Sequence, residues 1–180
     1  MCANERGRDV RMEYASDPAF CHVCGTRLVL REQPEDGPEP WCPTCGAWRY
    51  PGFSVGCSMI VYHPDGKRIL TIDQYGKHGI LVAGYVVRGE DLESTVRREV
   101  LEETGLELDS VAFNASRFYE PSNTLMANFV CRATGADARA NPGEVDRLRW
   151  VPVEDVLGRM PDGSLAQWFV RHHLRSVGLA

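Results

Sequence analysis

Two pairs of cysteines near the start of the chain restrict its fold more than any other feature. Cys21 and Cys24 form one Cys-X-X-Cys-Gly segment, and Cys42 and Cys45 form a second after 17 intervening residues. This spacing is typical of structural zinc sites, in which a tight turn after each pair presents backbone N–H groups to the sulfur atoms. Four thiolates complete a tetrahedral shell, so we expect one structural zinc ion with no open position for a substrate.

A redox-active Cys-X-X-Cys pair and a chance spacing are the two alternatives for these cysteines. Three other cysteines lack such a spacing. Cys2 lies in a charged stretch, whereas Cys57 and Cys131 lie among apolar residues, where a cysteine usually serves as a small packing residue. The zinc prediction therefore rests on the four paired cysteines alone.

The charge and composition exclude several classes of protein. The 180 residues are 43% hydrophobic and 25% charged, which is typical of a globular chain rather than a disordered or fibrous one. The formal net charge of −5 provides no general attraction to nucleic acid or to an anionic membrane. No stretch approaches the roughly 18 apolar residues of a membrane span, and residues 1–17 are too charged for a signal peptide. We expect a cytoplasmic protein without a membrane partner.

Shifts in composition divide the chain into three parts. Residues 1–19 are mixed in charge and are predicted to form a flexible tail. Residues 20–50 form the predicted zinc ribbon, which contains a proline- and acid-rich loop over residues 31–40. The remainder, residues 51–180, is long enough for one α/β domain. Within it, apolar runs and turn residues predict strands over residues 55–63, 68–72 and 80–87.

One helix is predicted over residues 92–104. Asp91 is a suitable N-cap, and Gly105 is a suitable stop because glycine adopts the left-handed conformation that ends many helices. An apolar stripe at four-residue steps gives the helix one buried side. This stripe consists of Leu92, Val96 and Val100.

Three carboxylates lie beside that stripe. At about 100° per residue, Glu99, Glu102 and Glu103 share roughly a third of the circumference of the helix, where they repel one another. A divalent cation such as Mg²⁺ or Mn²⁺ neutralises such a cluster and brings phosphate oxygens to it. Arg98 stands four residues before Glu102 and is expected to orient it. The alternative is an exposed acidic helix with ordinary ion pairs to Arg97 and Arg98.

The spacing around this helix resembles a known family motif. From Gly84 the chain has five residues, Glu90, seven residues, and then Arg-Glu-Val-Leu-Glu-Glu-Thr-Gly-Leu over residues 98–106. Every defined position matches the Nudix box, which is G, five residues, E, seven residues, REU, one residue, EE, one residue and GU, where U is aliphatic. The resemblance implies an α/β/α sandwich with a mixed β-sheet. It also implies hydrolysis of a nucleoside diphosphate linked to another moiety, by attack of water on a phosphorus atom.

The resemblance also implies roles for the acidic residues. Glu99 and Glu103 correspond to the principal Mg²⁺ or Mn²⁺ ligands, and the carbonyl of Ala83 to a further ligand. Glu102 corresponds to a ligand or to the base that positions water, and phosphoryl transfer depends mainly on such positioning and on charge neutralisation. Glu144, six residues before Trp150, resembles a later carboxylate ligand. Its alternative is a surface acid in a loop.

A zinc ribbon directly before a Nudix domain resembles the NADH pyrophosphatase family. That family has an aromatic residue before the first cysteine, here Phe20, and a segment LAGF[VI], here residues 81–86, in which Tyr85 would stack on a base or on nicotinamide. Tyr50, which precedes a proline, is similar to a substrate-contacting tyrosine of the family. Residues 164–167 resemble the start of its C-terminal helix, where the backbone of Ala166 would contact the substrate.

A further family motif, SQPWPFPxS followed by LM, is present in part. Residues 116–126 keep a serine at Ser116, an aromatic residue at Tyr119, a hydroxyl at Thr124 and Leu-Met ending at Met126. The prolines and the tryptophan of the motif are replaced. By resemblance Tyr119, Thr124 and Met126 are substrate contacts. Strand packing is the alternative for Tyr119.

The resemblance implies hydrolysis of a dinucleotide, with NADH or NAD⁺ yielding nicotinamide mononucleotide and AMP. The alternatives are another Nudix substrate, namely FAD, ADP-ribose or the NAD cap of an RNA, and a module that senses a nucleotide without catalysis. Apart from such a cap, no nucleic acid partner is expected. Members of the family form dimers, and a small ribbon with Trp41 and Trp48 needs a partner surface, so we expect a homodimer.

Overall fold

A computed structural model describes residues 19–179. The tail predicted over residues 1–19 lies, apart from Ala19, outside the described residues. The chain forms two compact units, Met1–Phe53 and Ser54–Ala180. The predicted ribbon and main domain, residues 20–50 and 51–180, stay predictions as domain boundaries.

The first unit contains a small antiparallel sheet. Its strands are β1 (Val29–Gln33), β2 (Gly37–Cys42) and β3 (Ala47–Trp48), in that order. Much of the stretch predicted as a loop over residues 31–40 belongs to β1 and β2. Pro38 and Pro40 occupy alternate positions of β2, so every second backbone N–H of the strand stays available to the sheet.

The second unit is built on a seven-stranded mixed sheet. Its path is β10-β5-β4-β9-β8, with β6 paired to β5 and β7 paired to β4. β4 and β9 are parallel, and the other pairs are antiparallel. The strands are β4 (Ser54–Tyr62), β5 (Arg68–Gln74), β6 (Lys77–Ile80), β7 (Val82–Tyr85), β8 (Leu108–Tyr119), β9 (Thr124–Ala133) and β10 (Arg147–Pro152), and the helices are α1 (Leu92–Thr104), α2 (Val156–Arg159) and α3 (Leu165–Ser176).

The apolar run predicted as one strand over residues 80–87 is divided in the structure. Its first part, Ile80, ends β6, which pairs with β5, and its later part forms β7, which pairs with β4. Leu81 between them is buried. Because the chain changes its pairing partner at this point, one long strand cannot serve both neighbours.

Helices cover both faces of the sheet. On one face, Val96 and Val100 of α1 pack on buried strand residues such as Met59 and Phe129. On the other face, Val170 and Leu174 of α3 pack on Ile60 and its neighbours. The predicted α/β/α sandwich with a mixed sheet is therefore confirmed. Cys57 and Cys131 are buried in the α1-side core, as expected of packing residues.

Helix α1 has the predicted bounds and caps. The Asp91 carboxylate accepts a hydrogen bond from the Ser94 N–H at 2.7 Å, and Gly105 ends the helix in the left-handed conformation at φ 68°. A short loop over residues 86–91 connects the end of β7 to the start of α1. No helix within residues 19–179 is long and apolar enough to cross a membrane.

Candidate functional site

Glu103 is the most unusual acidic residue of helix α1. Only 5% of its surface is exposed, and its Oε2 atom is buried without a hydrogen-bond partner among the described residues. Burial raises the pKa of its carboxyl to about 7, and the nearby charges of Glu99 and Glu144 act in the same direction. An unpartnered buried carboxylate oxygen is expensive to retain. A bound cation would remove that penalty.

Glu99 lies against a glycine of strand β7. A Cβ atom placed on Gly84 would overlap the Cδ and both carboxylate oxygens of Glu99. Only a residue without a side chain leaves room for the carboxylate at this point. Glycine at the first position of the Nudix motif is therefore required for steric reasons, because it leaves room for Glu99 of α1 beside the strand.

Arg98 joins the loop before α1 to the acidic side of the helix. Its guanidinium donates to both oxygens of Glu90 at 2.6 and 2.9 Å and to the Tyr85 carbonyl at 3.2 Å. It also donates to Glu99 at 2.7 Å and to Glu102 at 3.0 Å. The Arg98 hydrogen bonds lower the pKa of Glu90 to about 2. Glu90 also accepts a hydrogen bond from the Thr95 hydroxyl at 2.8 Å, so it acts as an anchor for the loop.

The two remaining acids are more exposed. The Glu102 side chain is 53% exposed, and Arg98 is its ion-pair partner. Glu144 lies outside α1, close enough for its charge to raise the pKa of Glu103, and it accepts a hydrogen bond from the Asn141 amide at 2.7 Å. The charges of two segments therefore act on Glu103, although among the described residues only the four cysteines have ligand atoms that all lie within 4.8 Å of one another. Carboxylate oxygens suit a hard divalent cation such as Mg²⁺ or Mn²⁺.

Ala83 lies in strand β7 directly before Gly84 and pairs with Ser58 of β4. Because neighbouring strand residues point to opposite faces, Gly84 faces α1 while the side chains of Ala83 and Tyr85 face the α3 side of the sheet. The carbonyl of Ala83 is thus adjacent in sequence to the point where Glu99 meets the strand.

Four strands bring a second group of residues into line on the α3 side of the sheet. The cross-strand register joins Tyr85, Gly56, Met126 and Arg117, which we name the Tyr85 row. Tyr85 is 55% exposed. The Met126 sulfur occupies the space beside Gly56, since a Cβ there would lie 2.7 Å from it. Tyr85 and Met126, predicted separately as substrate contacts, are therefore members of one row.

Tyr119 and Thr124 face each other at the end of the β8-β9 hairpin. Tyr119 is 41% exposed, whereas Thr124 is fully buried. The Thr124 hydroxyl donates to the Ser122 carbonyl at 2.9 Å. Thr124 thus stabilises the turn that carries Tyr119.

The remaining two predicted substrate contacts, Ala166 and Tyr50, belong to segments outside the Tyr85 row. Ala166 is in the first turn of α3, whose N-cap is Ser164, and it packs on the core that contains Ile60. Tyr50 belongs to the first unit, where its hydroxyl donates to the Gln33 side chain at 3.0 Å.

The four paired cysteines come together in the first unit. Their sulfur atoms all lie within 4.8 Å of one another, with Cys21 and Cys45 at 3.9 Å and Cys24 and Cys42 at 3.4 Å. The glycine after each pair has a positive φ, as the tight turns require. This cluster has the donor set of a closed zinc site.

Polar contacts around the sulfurs favour the thiolate at one cysteine and oppose it at another. Burial opposes ionisation of Cys21, but donation from the Val23 N–H and the Arg49 guanidinium lowers its pKa to about 5. The neighbouring sulfur of Cys24 raises the pKa of Cys45 to about 12. Several thiolates this close repel one another, and a bound Zn²⁺ ion would offset that repulsion.

The sequence identifies Gly84, Glu90, Arg98 and Glu99 as motif residues, with Glu90 holding the loop–helix geometry by resemblance, but it does not predict the contacts that join them. The contact between Gly84 and Glu99 and the bonds from Arg98 to Glu90 join segments whose relative position depends on the fold. A hydrogen-bonded pair of amides, the half-buried Asn114 and the buried Asn128, is also not predicted by the sequence. The Asn114 amide donates to Asn128 at 2.8 Å and to the Phe169 carbonyl at 3.2 Å, and Asn128 donates to the Ser58 hydroxyl at 2.7 Å.

Comparison with known proteins gives a consistent result. The model of the NUDIX domain family matches residues 52–169. The NAD-capped RNA hydrolase NudC of Stutzerimonas stutzeri is 27% identical over 163 residues, which are 89% of this chain and 58% of that protein. The human NAD-capped RNA hydrolase NUDT12 is 29% identical over 167 residues, 84% of this chain and 34% of that protein. This chain therefore spans less than two thirds of the length of either relative.

Solved structures share the fold. A Nudix hydrolase from Nitrosomonas europaea superposes with a TM-score of 0.68 at 20% identity, covering 89% of this chain and 94% of that one. The Nudix domain of Shewanella oneidensis NrtR, solved with ADP ribose, gives a TM-score of 0.61 at 15% identity over 76% of this chain and 94% of that one. At these identities the likeness concerns the fold alone. Because the family match spans most of the chain and includes the helix with the acidic cluster, the chain belongs to the Nudix domain family.

Proposed function

We propose that this chain hydrolyses the pyrophosphate of a nicotinamide dinucleotide, either as free NADH or NAD⁺ or as the NAD cap of an RNA. The observation that carries the proposal is the buried, unpartnered Oε2 of Glu103 among the carboxylates of Glu99, Glu102 and Glu144. A cation bound beside Glu103 would offset the cost of its buried, unpartnered oxygen and would attract phosphate oxygens.

We infer that Glu99, Glu103, Glu144 and the carbonyl of Ala83 hold Mg²⁺ or Mn²⁺. The metal, when bound, neutralises charge on the phosphate oxygens and lowers the pKa of a bound water. Arg98 fixes the orientation of Glu99 through its 2.7 Å hydrogen bond. Fixed ligand orientation matters because the arrangement must not reorganise as the reaction proceeds.

Glu102 is the residue we assign to the water molecule. Its side chain is the more exposed one of the α1 acids that contact Arg98, and that contact holds it at the edge of the cluster. The oxygen of water attacks one phosphorus atom, and the bridging phosphorus–oxygen bond breaks. The bridging oxygen leaves with the second phosphate, and a proton of the water passes to Glu102. The products from NAD⁺ are nicotinamide mononucleotide and AMP.

The Tyr85 row and the β8-β9 hairpin are proposed to bind the dinucleotide. Tyr85 and Tyr119 have exposed rings on which a base or nicotinamide can stack. Met126 of the same row is a proposed apolar contact, and Thr124 contributes through the turn it stabilises. The backbone of Ala166, in the first turn of α3, is a further proposed contact. The substrate contact implied for Tyr50 by resemblance stays a prediction.

The two forms of the substrate share their reacting group. The names of the curated relatives favour the capped RNA, whereas the net charge of −5 gives no general attraction to a polyanion. Free NADH or NAD⁺ needs only the dinucleotide contacts. The capped RNA needs an additional surface for the strand.

We also propose a structural zinc ion on the four cysteines, a homodimer and a cytoplasmic location. Support for the dimer comes from exposed apolar side chains of the first unit, including Phe20, Val29 and Leu30. A surface of this kind is often covered by a partner. Light scattering at micromolar concentration should give twice the 20.1 kDa chain mass, and a 20.1 kDa species alone would contradict the dimer.

A substrate panel tests the proposed activity. The protein is incubated with NADH, NAD⁺, FAD, ADP-ribose or a short NAD-capped RNA, with Mg²⁺ or Mn²⁺, and the products are identified by chromatography. We expect nicotinamide mononucleotide with AMP, or with a 5′-monophosphate RNA. Cleavage of FAD or ADP-ribose alone would instead mean that the altered segment 116–126 has changed the specificity. No turnover of any compound would favour a nucleotide sensor.

A further inference from the structure

We propose that the exposed side of helix α3 binds the ribose-phosphate strand of a capped RNA; this inference rests on the proposed function and assigns the strand a surface. Four residues form this side, which we name the α3 stripe. At about 100° per residue they fall within an arc of about 100°, opposite the buried Val170 and Leu174. The stripe consists of Trp168, Arg171, His172 and Arg175.

Helix α3 carries positive charge and no negative charge of its own. Residues Leu165–Ser176 contain no aspartate or glutamate. Arg171 and Arg175 are exposed, and neither forms an ion pair with a described residue. In a chain of net charge −5, this helix therefore carries two exposed guanidinium groups and no acidic residue of its own. Such a patch is complementary to phosphate groups.

An aromatic ring is combined with this charge. The Arg117 guanidinium lies 4.9 Å from the centroid of the Trp168 ring, and the His172 ring is stacked near Trp168 at 5.4 Å with an angle of 17° between planes. Single-stranded nucleic acids are typically bound by basic groups for the backbone and aromatic rings for the bases. The stripe offers exposed basic groups and the exposed His172 ring, whereas the half-buried Trp168 ring already contacts Arg117 and His172.

The stripe begins beside the proposed dinucleotide site. Arg117 belongs to the Tyr85 row and contacts Trp168, so it connects that row to the start of the stripe. The Asn114 amide, three residues earlier in β8, donates to the Phe169 carbonyl and holds α3 against the strand. From Trp168 to Arg175 the helix extends about 10 Å, enough to continue along a strand that leaves the dinucleotide.

The test compares two double variants with the same change in charge. Arg171→Gln with Arg175→Gln removes the stripe cations. Arg139→Gln with Arg147→Gln removes two exposed arginines elsewhere, one of them on β10 at the edge of the sheet path opposite β8. Binding of a labelled, NAD-capped single-stranded RNA is measured by fluorescence anisotropy between 50 and 200 mM salt, without added Mg²⁺ or Mn²⁺. Turnover of free NAD⁺ is measured in parallel.

We expect the stripe variant to bind the RNA more weakly and with a lower salt dependence. Loss of two phosphate contacts should reduce the slope of the logarithm of the binding constant against the logarithm of the salt concentration by about 1.4. Between 50 and 200 mM salt, the affinity of the unmodified protein should therefore fall about 7-fold more than that of the variant. The control variant should keep the slope of the unmodified protein. Both variants should cleave free NAD⁺ at an unchanged rate.

Three results would overturn the inference: no RNA binding by the unmodified protein, equal slopes for the stripe and control variants, or a change of oligomeric mass in the stripe variant, which would identify a subunit contact. The turnover measurements test the proposed function separately from the strand surface. If the stripe variant loses RNA affinity as expected but neither NAD⁺ nor the capped RNA is ever cleaved, the strand surface is supported and the hydrolase activity is rejected.

Discussion

At the scale of single residues, Gly84 and Glu99 are a matched pair. The carboxylate of Glu99 occupies the space in which any side chain at position 84 would lie. The φ of Gly84 is not positive, so the need for glycine comes from this contact and not from the backbone conformation. A residue of the motif that carries no functional group thus controls where a proposed metal ligand lies.

Gly84→Ala should therefore reduce turnover by displacing Glu99. We expect a loss of about 10- to 100-fold, as for other changes that misplace a metal ligand, with a parallel loss of Mg²⁺ affinity. Gly135→Ala is the control, since no atom lies within 4 Å of a Cβ at that position and its φ is not positive. Full activity of Gly84→Ala in steady-state assays would remove Glu99 from the mechanism.

Glu103 should make the metal-free protein sensitive to pH. Its pKa of about 7 in the folded chain exceeds its ordinary value of 4.5, so the folded state keeps a proton that the unfolded state has released. The free energy of unfolding therefore falls as the pH rises from about 4.5 to about 7, and Mg²⁺ should restore stability mainly above that interval. Calorimetry in this pH range, with and without Mg²⁺, measures the effect.

Glu103→Gln is the matched variant for this prediction. It keeps the size of the side chain but has no proton to release, so its melting temperature should depend less on pH between 4.5 and 7 and respond less to Mg²⁺. Identical pH profiles for the variant and the unmodified protein would show that another group is responsible.

At the scale of secondary-structure elements, helix α1 was the most predictable part of the molecule. Asp91 and Gly105 are strong local signals for its two ends, and its apolar stripe has the helical period. The strand run at residues 80–87 was less predictable, since the change of pairing at Leu81 depends on distant strands. The hydrogen bonds of Arg98 were also hidden, because Glu90 lies in a loop whose path the periodicity does not define.

Arg98 links that loop to α1, and we expect even a conservative substitution of Arg98 to reduce turnover. A lysine has one compact charge and cannot make the five hydrogen bonds that the Arg98 guanidinium donates. Arg98→Lys should fold but lose turnover by about 10- to 100-fold. Arg97→Lys is the control, because Arg97 donates one bond, to the Leu108 carbonyl. Similar activity for both variants would argue against an orienting role.

At the scale of the whole molecule, the cysteine cluster lies in the first unit and the carboxylates of the proposed metal site lie in the second. The Cys-X-X-Cys spacing predicted the sulfur cluster of the first unit because the ligands are close in sequence within each pair. In the second unit, Glu144 was identified only by resemblance, since its approach to Glu103 depends on the path between β9 and β10. The α3 stripe was not predicted at all, because the position of Arg117 over Trp168 depends on the packing of α3 on β8.

The first unit should contain about one zinc ion per chain. Cys42→Ser should abolish zinc binding and make residues 19–53 sensitive to proteolysis, since a small sheet of this size depends on its metal. Elemental analysis and limited proteolysis measure both effects. Cys57→Ala, in the core of the second unit, should leave the zinc content unchanged. Retention of zinc by Cys42→Ser would contradict the four-cysteine site.

The most direct test of the proposed activity compares Glu103→Gln with the unmodified protein on NAD⁺ and on NAD-capped RNA in the presence of Mg²⁺. We expect the unmodified protein to release nicotinamide mononucleotide, and the variant to lose at least about 100-fold in turnover while it still binds the dinucleotide in a calorimetric titration. Turnover by the variant equal to that of the unmodified protein would contradict the assignment of the carboxylate cluster as the catalytic site.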